Sequence, residues 1–425
     1  MTKATHSLGW RVGVVGLGYV GLPLAVLFAR KGHEVVGIDT DPSRVEMVNA
    51  GTSYVQDVPS TTLKGLVKRG RLRARADFAD VALLDAVLIC VPTPLDERRL
   101  PDISSVIGAV AEVAPRLRHG ALVVLESSVY PGATEELVQP MLEATGDKVG
   151  KDFYLAYSPE RVNPGSPPPL AQIDKLIAGV TLACQDRACE LYGTAFRNLV
   201  RVSSPRVAEM AKLVENAHRL INISFVNELA VVARRLGVDI WEVLEAAATK
   251  PFGYAPYQPG PGVGGHCIPV DPLYLQWSAA RAGTESVMIR AAQQVNDLMP
   301  AYVVSRLRTL LGCLTGKRVL LLGAAYKKNT ADTRESPALE LFTRLEAAGA
   351  VVSYHDPQVP RLEVGGVARE SRPLTQESLR AVDAVVVVTD HAAVDYQLVA
   401  RSAPLVLDTR NALRAFHNLP TVHRL

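Results

Sequence analysis

The sequence predicts an α/β chain: two doubly wound, parallel-sheet parts joined by an all-helical segment. Three observations carry this. Short apolar runs alternate with helical patterns from the start, the alternation stops for a long stretch without proline or glycine, and it resumes after Gly316. Alternating strands and helices are the pattern of right-handed βαβ units on a parallel sheet. At roughly 150 residues per domain, a chain of 425 residues holds two or three domains.

Arg11 to Gly16 is a short apolar run that reads as a buried strand, and a helical pattern follows from Val20 to Lys31. Glu34 to Asp39 is a second strand that ends in an acid. Ala86 to Val91, Ala121 to Leu125 and Phe153 to Tyr157 are further buried-strand candidates, with helices such as Ile103 to Leu117 and Ala133 to Ala144 between them. Ser158 to Leu170 carries five prolines and reads as an ordered loop. From Val207 to Leu236, Met210, Leu213, Ala217, Leu220 and Ile221 recur at helical spacing. A helix of ~30 residues spans about 45 Å, long enough to bridge domains or form a dimer interface. Short helices around Ile240 to Ala248 and Val287 to Leu311 continue the all-α character. Lys317 to Gly323 is then a strand, Pro337 to Ala348 a helix, and Val351 to Tyr354, Ala384 to Thr389 and Leu405 to Asp408 are strands. Gly323-Ala-Ala-Tyr has no second glycine, so the two α/β parts share a rhythm and not a motif.

Composition removes several classes of function. Hydrophobic residues at 48% and charged residues at 21% exclude disorder, collagen and coiled coil. A net charge of +3 gives no electrostatic reason to expect nucleic acid or an acidic membrane as a partner. Five widely spread cysteines, Cys90, Cys184, Cys189, Cys267 and Cys313, do not fit a disulfide framework and suit a reducing, cytoplasmic compartment. The first ten residues lack the apolar core of a signal peptide. The longest apolar stretches, such as Val319 to Ala325, fall far below the ~18 residues needed to span a bilayer.

Gly16-Leu-Gly18-Tyr19-Val20-Gly21 follows a strand, opens a helix, and precedes Asp39 at the end of the next strand. That context is what a dinucleotide loop requires. The first glycine makes the tight turn, the second admits the pyrophosphate, the third lets helix and strand pack, and the helix N-terminus stabilises phosphate charge. Asp39 would accept hydrogen bonds from the adenosine ribose and repel a 2′-phosphate, so NAD is favoured over NADP. Arg44 either lies over the adenine or is a solvated helix residue.

Between Pro251 and Pro272 stand six prolines and five glycines, around Gly264-Gly-His-Cys267 and Asp271. Such a stretch forms neither helix nor central strand. Rigid prolines beside permissive glycines suit a loop held in one shape near a ligand. Cys267 is then a nucleophile candidate, with a free cysteine in a tight turn as the plainer reading. A thiolate can attack an aldehyde, and the thiohemiacetal can give up a hydride and become a thioester. Zinc does not fit, because His266 and Cys267 are adjacent and Cys184 and Cys189 have the wrong spacing. Lys212 and Asn216 share one face of the long helix among apolar residues. They are either oxyanion donors or, for the lysine, a side chain reaching solvent. Glu160, in Tyr157-Ser-Pro-Glu-Arg161, follows a strand end. It reads as a general base through a water or as an exposed loop glutamate.

Together these residues resemble the UDP-glucose/GDP-mannose dehydrogenase family over essentially the whole chain. The motifs are Gly16 to Pro23, Ser158-Pro-Glu-Arg161, Lys212-Leu-Val-Glu-Asn216, Gly264 to Cys267 with Asp271, Tyr326 to Ser336, and Asp408-Thr-Arg-Asn411. The resemblance implies a four-electron oxidation of a primary alcohol at carbon 6 of a nucleotide sugar, with two NAD reduced. It implies Cys267 as nucleophile, Lys212 and Asn216 as oxyanion stabilisers, and Glu160 and Asp271 in water activation and proton transfer. Ser128 stands where the family often has threonine, and the hydroxyl is kept. Lys327, Arg410 and Arg161 match substrate-contacting positions. Arg334 matches a position that reaches the NAD side, and Tyr19, Val20 and Thr93 complete the cofactor set. The implied architecture is two Rossmann-like domains, 1–204 for NAD and 315–425 for the UDP-sugar, around a helical dimerisation domain at 205–314. A homodimer or higher homo-oligomer follows.

Glu160-Arg-Val-Asn-Pro-Gly165 departs from the Glu-Phe-Leu of the UDP-glucose branch. The cysteine loop resembles that of the UDP-N-acetylhexosamine branch, and within it the enzymes acting on UDP-N-acetylglucosamine. The product would be a uronic acid for bacterial surface polysaccharide. The alternatives are the UDP-N-acetylmannosamine or UDP-glucose substrates, a two-electron hydroxyacid dehydrogenase, or a non-catalytic nucleotide-sugar sensor.

Overall fold

The computed structural model of the protein describes residues 9–162 and 168–425, so part of the proline-rich Ser158 to Leu170 segment lies outside the described residues. The chain divides into two compact units. The first reaches to Glu215 and takes in Leu273–Gly283; the second comprises Asn216–Pro272 and Thr284–Leu425.

The first unit is built on strands β1 (Arg11–Val15), β2 (Glu34–Ile38), β3 (Leu72–Arg75), β4 (Ala86–Ile89), β5 (Leu122–Leu125), β6 (Tyr154–Tyr157), β7 (Lys175–Gly179) and β8 (Leu199–Arg201). They form one sheet in the order β3-β2-β1-β4-β5-β6-β7-β8. Every residue of β4 and β5 is buried, as in a parallel sheet covered on both faces. Val12, Val14, Leu22, Phe28, Leu88 and Val124 lie in the core that joins the sheet to its helices. Strand order reverses at β1, which pairs with β2 on one side and β4 on the other, both parallel. Ligands of open α/β sheets bind at such a reversal, beyond the carboxyl ends of the strands.

The sheet departs from the parallel expectation in one place. Strand β6 pairs antiparallel with β7, through Ala156 with Gly179 and Tyr157 with Ala178. The described residues between them hold a single helical turn, Leu170–Gln172, and a parallel return needs a crossover. Ala133 to Ala144 is not one regular helix. A π-helical turn, Thr134–Val138, leads into Gln139–Glu143, and Pro140 at the join has no N–H for a regular ladder.

The long helix runs Pro205–Arg235, and the division between units falls inside it, between Glu215 and Asn216. Near its start, buried Glu209 accepts the Gly132 N–H at 2.5 Å and the Thr134 N–H at 2.9 Å. Val287–Leu311 is a 25-residue helix and not a short one, running through Pro300.

The second unit carries β9 (Arg318–Leu322), β10 (Val351–His355), β11 (Arg361–Val364), β12 (Val367–Glu370), β13 (Ala384–Val387), β14 (Val406–Asp408) and β15 (Val422–Arg424). Five of them form a sheet in the order β10-β9-β13-β14-β15, parallel throughout. The helix Pro337–Ala347 packs Leu341, Phe342 and Leu345 against it. Strands β11 and β12 form an antiparallel hairpin, unforeseen from the sequence, turning on Gly365 and Gly366 at φ 57° and 75°. Two central residues with positive φ are what a two-residue hairpin turn of matching twist requires.

Candidate active site

The glycine loop of the first unit explains its three glycines separately. Gly16 has φ +89°, and a Cβ there would stand 2.7 Å from the Cys90 carbonyl oxygen, so only glycine turns the chain between β1 and β4. A Cβ on Gly21 would lie 1.8 Å from the Gly16 carbonyl oxygen; this glycine lets helix and strand pack. A Cβ on Gly18 would meet nothing within 4 Å. That open space adjoins the helix Gly21–Arg30, whose N-terminus no side chain caps. The Leu22 N–H donates to the Gly18 carbonyl at 3.1 Å and Pro23 has no N–H, so it is the positive helix end beside open space at Gly18 that fits the pyrophosphate of NAD.

Asp39 follows β2, is buried, and accepts the Leu17 N–H at 2.7 Å and the Asp41 N–H at 3.0 Å. The carboxylate therefore fixes the loop. Arg44 lies 3.4 Å from Asp39 and 6.0 Å over the Tyr54 ring, and the Tyr54 hydroxyl donates to the Leu17 carbonyl at 2.6 Å. Tyr54 is a site residue that sequence reasoning missed. Nothing in its local pattern marks it, because its partner lies 37 positions away. Burial, with Asp39 beside it, pushes its phenol up. Thr93 is buried past β4, and Tyr19 is exposed on the loop.

Ser128 stands just past β5 and Glu160 just past β6, both at carboxyl ends of the sheet. Ser127, beside Ser128, donates its hydroxyl to the Val91 carbonyl at 2.7 Å and ties β5 to β4. Glu160 Oε1 accepts the N–H groups of Arg161 at 2.6 Å and Val162 at 2.7 Å. Its other oxygen lies 3.8 Å from the buried Lys175 ammonium. Arg161 pairs with Glu215 at 2.7 Å and donates to the Asp174 carbonyl at 2.9 Å. Lys212 is buried on the long helix, one turn ahead of Asn216.

The second unit brings Asn216, Cys267 and Asp271 together. Asn216 Nδ2 donates to Asp271 Oδ2 at 2.7 Å, with both residues buried. The Asp271 N–H donates to the Cys267 carbonyl at 2.9 Å, so the cysteine sits one turn ahead of the helix Asp271–Arg281. Cys267 is exposed. Its loop is built as the proline–glycine pattern demands, neither helix nor strand and held from outside. Asn227 Oδ1 accepts the Gly260 N–H at 2.8 Å, Asn296 Oδ1 the Val263 N–H at 2.7 Å, and the Arg334 carbonyl the Gly265 N–H at 2.9 Å. A Cβ on Gly265 would stand 2.6 Å from the Tyr326 ring, and one on Gly264 2.7 Å from the Tyr326 Cβ. Burial, with Asp332 and Cys267 adding negative charge, pushes the Tyr326 phenol to about 12. Arg334 is paired with Asp332 at 2.6 Å. The Lys327 carbonyl accepts the Thr330 hydroxyl at 3.0 Å. Arg410 donates to the Val388 carbonyl at 2.8 Å, and a Cβ on Gly260 would lie 2.4 Å from its guanidinium.

The remaining four cysteines are free thiols. Cys90 lies just past β4, and burial pushes its thiol up and keeps it protonated. Among the described residues no helix is long and apolar enough to cross a membrane.

Three stretches of the chain match one family. Residues 10–196 match the NAD binding domain, 206–298 the central domain, and 320–415 the UDP binding domain of the UDP-glucose/GDP-mannose dehydrogenase family. A UDP-N-acetyl-D-glucosamine 6-dehydrogenase of Pseudomonas aeruginosa is 38% identical over 360 residues, covering 82% of this chain and 83% of the relative. The structure of a UDP-D-ManNAc dehydrogenase from Pyrococcus horikoshii superposes with a TM-score of 0.86 at 33% identity, over 95% of this chain and 96% of that one. A UDP-glucose dehydrogenase from Pyrobaculum islandicum gives 0.88 at 32% identity, over 100% and 99%. With a dinucleotide loop that fits NAD and family matches along its length, the chain belongs to the UDP-glucose/GDP-mannose dehydrogenase family and is an NAD-dependent oxidoreductase.

Proposed function

We propose that the protein oxidises carbon 6 of a UDP-N-acetylhexosamine, with UDP-N-acetylglucosamine as the preferred epimer, from alcohol to carboxylate through a thioester on Cys267. The observation that carries this reading is the chain of hydrogen bonds from Asn216 on the long helix to Asp271 and on to Cys267 in the proline–glycine loop. NAD, when bound, would supply the hydride acceptor, one NAD for each of the two oxidations. In the first, the alcohol loses a proton and becomes the aldehyde. The Cys267 sulfur then adds to the aldehyde carbon, and Asn216 and Lys212 stabilise the oxyanion that forms. Loss of the second hydride leaves the thioester. A water activated by Glu160, with Ser128 orienting it, hydrolyses that bond and returns the thiol. Asp271 fixes the Asn216 amide and shuttles protons. Gly16 to Gly21, Asp39, Arg44, Thr93 and Arg334 form the coenzyme side; Arg161, Lys327 and Arg410 form the substrate side.

The family matches at 10–196, 206–298 and 320–415 support a division into domains 1–204, 205–314 and 315–425. Val207, Met210, Val214, Phe225 and Val232 are exposed on the long helix, and such a stripe supports a homodimer. For the epimer, the support is the cysteine loop and the 38% identical relative named for UDP-N-acetyl-D-glucosamine. The mannosamine epimer is the second reading, favoured by the Pyrococcus horikoshii structure.

Incubating the protein with NAD and a panel of UDP-sugars, and counting NADH per sugar, tests the proposal. Two NADH per N-acetylglucosamine unit are expected, and Cys267→Ser should lose turnover while still binding the UDP-sugar. One NADH per sugar, or a Cys267→Ser variant that turns over at the wild-type rate, sinks the thioester route.

A further inference from the structure

The first unit buries an ion cluster that the reaction above does not use. Lys175, on β7, is 2% exposed and Glu126, just past β5, is also 2% exposed. The Lys175 ammonium donates to Glu126 Oε2 at 2.5 Å and to the Pro159 carbonyl at 3.1 Å. It also lies 3.8 Å from Glu160 Oε2. Glu126 Oε1 accepts the Tyr192 hydroxyl. Both oxygens of Glu126 therefore act as acceptors, while burial works to push its pKa up against the pull of Lys175. One ammonium faces two carboxylates, one sealed in the core and one at the edge of the proposed site.

A lysine this deep is costly unless something needs it. A partner for Glu126 alone would not require it to reach Pro159 and Glu160 as well. Burial acts to lower the Lys175 pKa, but Glu126 and Glu160 outweigh it and raise the pKa, so the ammonium keeps its charge. The groups around Glu160 are Lys175 from β7, Glu126 past β5, Cys90 past β4, Tyr192 from the helix Leu182–Tyr192, and Arg161 beside it. The Arg161 guanidinium is engaged by Glu215, and Cys90 is neutral. That leaves Lys175 as the cation that bears on Glu160 Oε2.

We propose that Lys175 is a positioning residue for the hydrolytic half of the reaction, clamping the Pro159-Glu160 backbone so that the Glu160 side chain is fixed at the end of β6. The inference rests on the reading of Glu160 as the base that activates water. Glu126 anchors the lysine between the ends of β5 and β6, so the Ser128 and Glu160 segments share one ionic strut.

The test is kcat and the state of Cys267 in holoenzyme variants. A small misplacement of a positioned group costs up to about a hundredfold in rate. Lys175→Met should therefore lower kcat by about ten- to a hundredfold with the UDP-sugar KM little changed, while Lys175→Arg should restore most of kcat. Removing one partner of a buried pair endangers folding, so the double variant Lys175→Met with Glu126→Gln carries the decision. It removes both buried charges and keeps an acceptor for Tyr192. Its NAD affinity and thermal midpoint should return toward wild type while kcat stays low and Cys267 acyl-enzyme builds up by mass. A double variant with wild-type kcat and no acyl-enzyme build-up would overturn the inference, since Lys175 would then serve only to neutralise Glu126. Glu160→Gln separates the two levels. If it keeps turnover, the reading of Glu160 falls; if it stalls as acyl-enzyme while the double variant behaves as wild type, only the role of Lys175 falls.

Discussion

The two sheet-bearing units open with the same turn and put it to different uses. Gly16 follows β1 at φ +89° and Gly323 follows β9 at φ +91°. Each has no room for a Cβ, against the Cys90 carbonyl in one and Thr389 in the other. In each an aspartate past the neighbouring strand accepts from the turn. Asp39 takes one N–H, that of Leu17. Asp356 takes two, from Ala324 at 2.7 Å and Ala325 at 2.9 Å, and also His391 Nε2 at 2.9 Å. Two residues past the first glycine, Gly18 faces open space while Ala325 is fully buried. The helix begins at Gly21 in the first unit but at Pro337 in the second, capped by Ser336 and started by a residue with no N–H. The first turn is left open beside a helix end. The second is closed by the protein's own carboxylate. A shared fold fixes where a ligand can sit, and the donors left over decide how it is held.

Three changes press on that contrast. The largest effect is expected from Gly18→Val, which fills the open cradle at a position whose backbone tolerates any residue. NAD affinity should fall about a hundredfold, about 2.7 kcal/mol, with the thermal midpoint unchanged; calorimetric titration of NAD checks it. Next is Asp356→Asn, which removes a carboxylate that has no ligand to meet. Burial works to raise its pKa, but His391 and the N–H groups of Ala325, Gln358 and Ala324 outweigh that and hold it down at about 2. A depressed carboxyl stabilises the fold above its ordinary value of 3.8 and loses that contribution as pH falls toward 2. The wild type should lose about 2 kcal/mol across that window, and Asp356→Asn should lack that contribution at neutral pH and show no such fall. Urea unfolding at stepped pH measures it, and NAD affinity should not move. The smallest effect is Arg44→Met. Its ion pair with Asp39 is half exposed, so NAD affinity should drop severalfold, within about 1 kcal/mol.

The contrast also marks what a reader of the sequence can reach. The glycine loop, Asp39, the long helix and the cysteine loop were legible because each is a local pattern with one physical cause. Gly16 to Gly21 lies within six positions, and the prolines around Cys267 allow no regular element. The closing of the second turn was not legible. Gly323-Ala-Ala-Tyr shows a missing glycine, but His391 and Asp356 lie 35 positions apart and meet only through the order of β9, β10 and β13. Lys175 and Glu126 are 49 positions apart and meet only once the sheet is assembled. Strands β7 and β8 were not read from the sequence at all, because each is short, Lys175–Gly179 and Leu199–Arg201, and carries a charged residue at one end.

Tyr326 packs against Gly264 and Gly265, and the Arg334 carbonyl holds the Gly265 N–H. The cysteine turn and the nucleotide segment are thus two sides of one wall, with no clearance between them. In the history of such a protein these stretches cannot drift independently. A larger side chain at either glycine needs a smaller one at Tyr326 in the same lineage, and the reverse. Change is tolerated more easily at positions outside this wall, such as Arg161 past β6, which leaves Cys267 where it is.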